Sequence, residues 1–191
     1  MKLELLTAPT IEPIDYSDME KSLGLLGCDI DEDDEEYITE LIAAAREYCE
    51  AYQSTAYLTQ TWRLILKQFP TGYISIPKGE VQSVTSVKYR DRDNVQTTLT
   101  VDVDYIVTDG NKIIPIGTFP TDLLSYDAVE VVWVAGWSDK ADVPYKVKQA
   151  IKLLVGHWYQ NRTPIDDTRT APQEISFTLS ALLNMDGKIL L

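Results

Sequence analysis

The sequence predicts an α+β fold: a small helical bundle, with two long helices and short terminal helices, that carries an inserted antiparallel β-hairpin region. Apolar residues recur with helical spacing in two segments, about 33–54 and about 143–161. Between them, over about 59–135, they alternate or form β-branched runs with turn residues at short intervals. No part of this stretch leaves room for the crossover helix of a parallel pair, so antiparallel hairpins are expected.

A short first helix is expected over about 15–26, after an extended lead-in that contains two prolines. Asp15 or Ser17 can cap its N-terminus, and Gly24 and Gly27 can end it. Its partial apolar stripe consists of Met19, Leu23 and Leu26. The stripe indicates that one face of this helix packs against the bundle.

The second helix, about 33–54, has the clearest periodicity in the chain. Its apolar residues follow i, i+3, i+4 and i+7 spacing for about four turns. They are Ile38, Leu41, Ile42, Ala45, Tyr48, Cys49 and Tyr52. The opposite face, expected to meet solvent, carries Glu40, Arg46, Glu47 and Glu50.

The segment 29–36, just before this helix, is almost entirely acidic. One interpretation is a calcium loop, but the glycine and the distant glutamate of an EF-hand are not at the required spacing. The other is that the carboxylates line a helix N-terminus, where the helix dipole favours negative charge. The second interpretation fits better, and no metal site is predicted.

Within the β region, 91–94 is expected to be the tip of one hairpin and 109–111 the tip of a second. Segment 129–135 is the most apolar of the expected strands. A strand with neighbours on both sides is the most shielded from solvent, and an apolar composition suits that position. We therefore expect 129–135 to be the central strand.

The third helix, about 143–161, is expected to begin at Asp142 as its N-cap, with Pro144 in the first turn. Its apolar face consists of Val147, Ala150, Ile151, Leu154, Val155 and Trp158, and its outer face carries Lys146, Lys148 and Lys152. We expect residues 1–162 to form one domain. Residues 163–191 are expected to be a flexible C-terminal arm with a short helix near 176–185.

The 191 residues carry a formal net charge of −13, with a sequence pI near 4.4. DNA-binding domains neutralise phosphates with clustered Lys and Arg, so this charge argues against one. It is compatible with an acidic wall along which DNA passes, and equally with an ordinary soluble acidic surface.

The two cysteines, Cys28 in an expected loop and Cys49 on a helix, do not suggest a disulfide framework. The N-terminal residues show no pattern of a signal peptide, and no segment has the run of about 20 apolar residues that a membrane span needs. We therefore expect a soluble protein that is made in the cytoplasm.

Catalytic motifs are not evident. The one histidine, His157, has no nucleophile or acid suggested as a partner, and no phosphate-binding or zinc-binding motif occurs. We therefore predict no catalytic, cofactor-binding or metal-binding residue. Trp158 and Tyr159, which follow His157, are interpreted as core residues, with a partner-binding surface as the alternative.

Several segments, in order and at suitable spacing over about residues 5–162, carry a resemblance to a known family. They are LTAP (6–9), YITELIAAAREYCEAY (37–52), LTQTW (58–62), IP (76–77), VQSVTSV (81–87), VWVAGW (132–137), VPYKVKQAI (143–151) and HWYQNR (157–162). The chain resembles the gp6-like head–tail connectors of tailed phages and prophages, including the related gp8 family of prophage proteins. The last 29 or so residues, 163–191, fit the pattern weakly.

The resemblance implies a non-enzymatic virion protein that forms a homo-oligomeric ring of about 12 subunits in the neck. Such a ring lies under the portal protein, extends the DNA channel and docks a head–tail stopper or tail-completion protein. DNA passes through without specific binding, no membrane is involved, and assembly takes place in the host cytoplasm. The family has no catalytic residues that would be carried over to this chain.

Three other functions remain open from the sequence. The first is another neck or tail-completion protein of the same virion, which the sequence alone separates poorly from a connector. From a different class, an acidic inhibitor that mimics DNA would explain the charge, and its acids should then spread along a helix face. A hydrolase would require His157 to line a pocket beside an acid.

Overall fold

The computed structural model describes residues 1–24, 32–108, 111–161 and 179–183. It has the predicted α+β class, with helices and antiparallel sheets. Two compact units are present. The sheet unit comprises Met1–Thr10 and Ser54–Ser138, and the helical unit comprises Ile11–Gln53 and Asp139–Leu191.

The strands of the sheet unit pair with antiparallel neighbours throughout. In chain order they are β1 (Lys2–Thr7), β2 (Gln60–Leu66), β3 (Ile74–Ser75), β4 (Val81–Arg90), β5 (Gln96–Leu99), β6 (Tyr105–Thr108), β7 (Lys112–Pro115) and β8 (Val129–Ala135). A five-stranded sheet has the order β1-β2-β8-β4-β5, and a three-stranded sheet has the order β3-β7-β6. The apolar strand β8 is central in the larger sheet, as its composition predicted.

One face of the five-stranded sheet forms the core of the sheet unit. A single row of cross-strand partners runs through all five strands on this face: Leu3, Leu64, Val131, Val87 and Leu99. These side chains belong to one apolar cluster that also holds the stacked rings of Phe69 and Phe119, whose centroids are 4.4 Å apart. Each fully buried Leu or Val side chain contributes about 1.5–3 kcal/mol, so this row fixes the register of the sheet.

Both predicted hairpins form. The first links β4 to β5, and Asp91 organises its tip by accepting hydrogen bonds through Oδ1 from the backbone N–H groups of Asp93 (3.0 Å) and Val95 (2.9 Å). Asn94 takes a positive φ of 63°, which asparagine tolerates better than most residues. The second links β6 to β7, and the tip residues 109–110 lie outside the described residues.

The helical unit contains α1 (Tyr16–Leu23), α2 (Glu32–Gln53), a 3-10 helix (Lys140–Asp142) and α3 (Tyr145–Gln160). Residues 179–183 are also helical. Asp15 caps α1 through a reciprocal capping box with Asp18, and Gly24 ends it at a φ of 71°. Its one fully buried side chain, Met19, supports the predicted apolar stripe.

The prediction that Asp142 caps the third helix is wrong. Asp142 is the last residue of the 3-10 helix, and Pro144 occupies the N-cap position of α3 without a side-chain cap. A residue before proline is held out of the helical region, and Val143 is accordingly extended, with a ψ of 125°. Asp139 caps the 3-10 helix instead, through Oδ1 and the N–H of Ala141 at 2.8 Å.

The inner faces of α2 and α3 form the core of the helical unit. On α3 every residue of the predicted apolar face before Trp158 is buried: Val147, Ala150, Ile151, Leu154 and Val155. On α2 the buried apolar residues are Ile38, Ile42, Ala45 and Cys49. Burial raises the pKa of the Cys49 thiol to about 12, so this cysteine is a core residue and not a reactive one.

Some predictions fall on residues outside the described ranges. Among them are the positions of Leu26 and Cys28 and the beginning of the acidic run 29–36. Of the predicted C-terminal arm, 163–191, only the helical residues 179–183 are described. There Leu179 and Leu183 are buried, and the Leu183 carbonyl accepts a 2.6 Å hydrogen bond from the Gln53 side chain. None of the described helices is long and apolar enough to span a membrane.

Gly136, which follows β8, occupies a position that only glycine fits. Its φ is 100°, and a Cβ there would overlap the backbone carbonyl of Leu58. Its N–H donates a 2.8 Å hydrogen bond to the Glu80 carbonyl, which anchors the end of the central strand. Gly72 has a similar φ of 93°, but a Cβ on it would meet no atom within 4 Å.

We predict that Gly136→Ala lowers the free energy of unfolding by about 3 kcal/mol or more. Backbone strain costs about 1–3 kcal/mol, and the forced overlap adds about 1–3 kcal/mol. Gly72→Ala is the matched control, because it carries the strain without the overlap. Urea titrations with equal m-values compare the two. An equal loss in both variants would show that the close approach to Leu58 has no energetic weight.

Candidate interaction surfaces

The described residues around His157 do not form a catalytic arrangement. The His157 Nδ1 atom lies 3.1 Å from the side-chain nitrogen of Asn161, one turn later on the chain. No described group of three or more His, Cys, Asp or Glu residues could hold a metal ion. His157 is half-buried near the end of α3, which fits a helix-terminal residue better than an acid–base pair.

Trp158 and Tyr159 lie where α2 meets α3. The Trp158 ring contacts Tyr48 edge to face, with centroids 6.3 Å apart, and the Tyr159 ring lies 6.4 Å from that of Tyr37. Both α3 aromatics are half-buried, so they partly cover the core and partly meet solvent. Tyr48 and Tyr52, expected in the core, are instead 48% and 43% exposed. They lie on the flank of the helix, which leaves aromatic surface available to a partner.

Arg46 and Glu50, expected on the solvent face of α2, are both 5% exposed. The Arg46 Nη1 atom donates to Glu50 at 2.9 Å, and its Nε donates to Glu12 at 2.8 Å. Burial disfavours the charged guanidinium, but the hydrogen bonds and charges of Glu12 and Glu50 prevail and raise the pKa of Arg46. The cluster ties the segment before α1 to the middle of α2.

We predict that Arg46→Ala costs about 3–5 kcal/mol of unfolding free energy, because it leaves Glu50 buried without its cation. Glu47→Ala is the control. The Glu47 side chain is 70% exposed, and its carboxylate lies 3.6 Å from Arg46, farther than those of Glu12 and Glu50. Its loss should therefore cost less than about 0.5 kcal/mol. Thermal or urea unfolding measures both. Similar values for the two variants would contradict a structural role for the buried cluster.

A groove of about 540 Å³ opens in the sheet unit beside the stacked Phe69 and Phe119 rings. The described residues of its wall include three prolines, Pro70, Pro115 and Pro120, and none of them is ionisable. General acid–base chemistry needs a titratable group within hydrogen-bond reach of the substrate. This groove is therefore suited to holding apolar groups and not to catalysis.

The second face of the five-stranded sheet, opposite the core, carries the charges. One row of partners crosses all five strands: Lys2, Ile65, Glu130, Lys88 and Thr98. The next row contains Glu4, Arg63, Val132 and Ser86, and Arg90 pairs with Gln96 at the far edge. We call this surface the open face. The residues of the open face are half-exposed for the most part.

Alternating charges link the strands across the open face. Glu4 forms ion pairs with Lys2 and Arg63, Arg63 lies 3.6 Å from Glu130, and Glu130 lies 3.9 Å from Lys88. Together with Arg90 the strands present four cations and two carboxylates here. A third carboxylate, Asp127, lines the same pocket as Lys88, Arg90 and Glu130, so the open face has a net charge of +1. In a chain with a net charge of −13, this is a local reversal of sign.

A second, apolar surface lies around β6, which is an edge strand of the three-stranded sheet. Its exposed aliphatic residues are Val101, Val103, Ile106, Val107 and Ile116. Solitary exposed aliphatic residues are common, but a group of them beside an unpaired strand edge is typical of an interaction surface. We call this surface the aliphatic patch.

The pKa of Glu4 provides a test of the open face. Hydrogen bonds from Lys2 and then from Arg63 lower this pKa from its ordinary value of 4.5. Glu4 therefore contributes stability above about pH 4.5, and the contribution is lost as the pH falls through its lowered folded-state pKa.

We predict that Lys2→Ala and Arg63→Ala each raise the pKa of Glu4, as followed by carbon-detected NMR titration of its carboxyl group. Lys67→Ala removes an exposed cation just beyond β2 and is the control that should leave the pKa unchanged. If neither substitution changed the pKa of Glu4, the ion pairs of Glu4 with Lys2 and Arg63 on the open face would be contradicted.

No family model and no curated protein matches the sequence. The fold, in contrast, matches solved structures over nearly its whole length. A chain of the virion of a native gene transfer agent particle matches with a TM-score of 0.77 and 20% identity, covering 96% of this chain and 94% of that one.

Two neck structures of this kind of particle are also similar. The neck of the empty particle, computed with C6 symmetry, matches with a TM-score of 0.74 and 21% identity over 95% of each chain. The neck of the native particle, computed with C12 symmetry, matches with a TM-score of 0.68 and 18% identity over 95% of this chain and 94% of that one. The chain thus shares its fold with proteins found in particle necks.

Proposed function

We propose that this chain is a structural subunit of the neck of a phage or phage-like particle, a head–tail connector of the gp6-like kind. The observation that carries the proposal is the match to neck chains over 94–95% of their length, in particles computed with C6 and C12 symmetry. The sequence resemblance to gp6-like connectors supports it from separate information. Fold alone does not define function, so the surfaces have to fit as well.

The proposed assembly is a closed ring of about 12 copies in the virion neck. A ring of this type is heterologous: each copy uses one surface toward the preceding copy and a different surface toward the next. The structure offers chemically distinct surfaces for this purpose, namely the charged open face, the aliphatic patch, and the exposed Tyr48 and Tyr52 on α2. The portal protein and a stopper or tail-completion protein are the proposed neighbours along the axis.

The acidic surface supports a passive role toward DNA. The chain carries a net charge of −13. A channel wall of this sign repels phosphates and lets a duplex pass without binding it. Exposed carboxylates also lie along one side of α2, at Asp33, Glu36, Glu40 and Glu47.

The same acidic side of α2 favours a second candidate function, an inhibitor that mimics DNA, because such a protein displays its acids along a helix face. The two functions differ in what they bind. An inhibitor should displace duplex DNA from a nuclease or repressor as a monomer or dimer, whereas a neck subunit should assemble into rings. Among virion proteins, loss of a connector should leave heads without tails, and loss of a tail-completion protein should leave tails of abnormal length.

We predict closed rings of about 12 subunits in mass photometry over a concentration series, with negative-stain images of the large species. Assembly should depend on protein concentration, because each contact is formed between copies. A stable dimer with no larger species would favour the inhibitor. Absence of self-association up to the solubility limit, with and without the cognate portal, would contradict the ring.

A further inference from the structure

We propose that the open face of the five-stranded sheet binds the acidic side of α2 on a second copy, and that this contact joins neighbours in the ring. The inference rests on the proposed ring and specifies which surfaces close it. Three features of the described residues carry it: the sign of the charge on each surface, the order of charged and apolar positions, and the dimensions of the two elements.

Electrostatic repulsion restricts where two copies can meet. Each chain carries −13, so most pairs of surfaces bring like charges together. Screening limits this repulsion to within about 8 Å at physiological ionic strength, which is the range at which an interface forms. A locally positive surface on one side removes this repulsion, and the open face, with a net charge of +1, is such a surface.

The acidic side of α2 is the complementary surface. In the described part of this helix, the exposed ionisable residues are all acidic apart from tyrosine, and they are Asp33, Glu35, Glu36, Glu40 and Glu47. The one cation of the helix, Arg46, is buried against Glu12 and Glu50 and does not offset them. The buried cluster thus leaves the outer side of α2 uniformly negative.

Charged and apolar positions follow one another in the same way on both surfaces. On the strands β4 and β8 of the open face, Lys88 and Arg90 lie toward one end, and Val132 and Val134 lie toward the other, where β1 and β2 add an ion-paired carboxylate and guanidinium. On α2, the acids occupy the first part, and the exposed Tyr48 follows. Laid together in this order, the carboxylates meet the cations while the aromatic ring meets the valines.

The dimensions agree with a helix lying on the sheet. Four inter-strand spacings make the open face about 19 Å wide, and seven residues of strand make it about 23 Å long. The 22 residues of α2 extend about 33 Å, so the helix spans the sheet. The area of the open face, about 19 Å by 23 Å, is about half of the roughly 800 Å² that each partner buries in a standard interface. This contact is therefore one part of the ring interface.

The test is a charge-reversal experiment with mass photometry. The sheet variant carries Lys88→Glu and Arg90→Glu, and the helix variant carries Glu36→Lys and Glu40→Lys. Each alone should need at least a tenfold higher concentration to form rings, because like charges then face each other. In the helix variant the net charge changes from −13 to −9, so the overall repulsion between copies becomes weaker. A loss of rings in this variant could therefore not be explained by overall repulsion.

Restoration identifies the pairing. An equimolar mixture of the two variants should form rings again, because each reversed sheet then meets a reversed helix around an alternating ring with an even number of copies. The single chain with all four substitutions should also assemble. Restoration shows in addition that both variants fold. The control, Lys21→Glu with Arg92→Glu, makes the same change of net charge at exposed sites outside the open face, one in α1 and one at the tip of the β4–β5 hairpin, and should assemble like the unmodified protein.

The outcomes separate this inference from the ring itself. Rings from the unmodified chain and equally from the sheet variant would overturn the contact and leave the neck function intact. Loss of rings in both variants without restoration would overturn the pairing of these two surfaces. Failure of the unmodified chain to assemble, with and without the cognate portal, would overturn the proposed function, and this contact with it. If the unmodified chain bound duplex DNA and the sheet variant did not, the open face would be a DNA-binding surface, and the proposed contact between copies would be overturned.

Discussion

The alternation of residues along β8 is the constraint on which the sheet unit depends. Its inward residues, Val129, Val131, Trp133 and Ala135, are fully buried, and the three between them are half-exposed. Because a shift of one residue would exchange the two sets, the buried residues hold the register of both neighbouring strands. The same alternation places Glu130 between Arg63 and Lys88 on the opposite face. Core formation and the charged surface are therefore two consequences of one strand.

Periodicity revealed the elements but not the partners that depend on distant segments. The apolar pattern of 129–135 was sufficient to place that strand at the centre, and turn residues were sufficient to locate both hairpins. The N-terminal residues were expected only to be extended. They form β1, because β2, about 60 residues later, offers a matching edge. Such non-local pairing leaves no local signal in the sequence.

The same limit explains the errors at particular residues. Arg46 and Glu50 were assigned to solvent because the spacing of charges on a helix does not show that Glu12 covers them. Their i, i+4 separation was the available signal, but exposed pairs show the same separation. Asp142 was assigned as a cap from residue type, although the restriction that Pro144 imposes on Val143 should have decided against it. No local pattern indicates the open face, since this surface exists only once all five strands are in register.

Charge placement links the fold to assembly. A strongly acidic chain stays soluble, and an acidic channel does not hold DNA, yet both properties oppose the association of identical subunits. The structure reconciles them by segregation. Arg46 is buried against two carboxylates, so α2 keeps its negative side, while cations outnumber carboxylates on the open face. A uniform mixture of the same residues would give every surface the same weak repulsion. In the proposed heterologous ring, segregation lets two different surfaces of one chain attract each other.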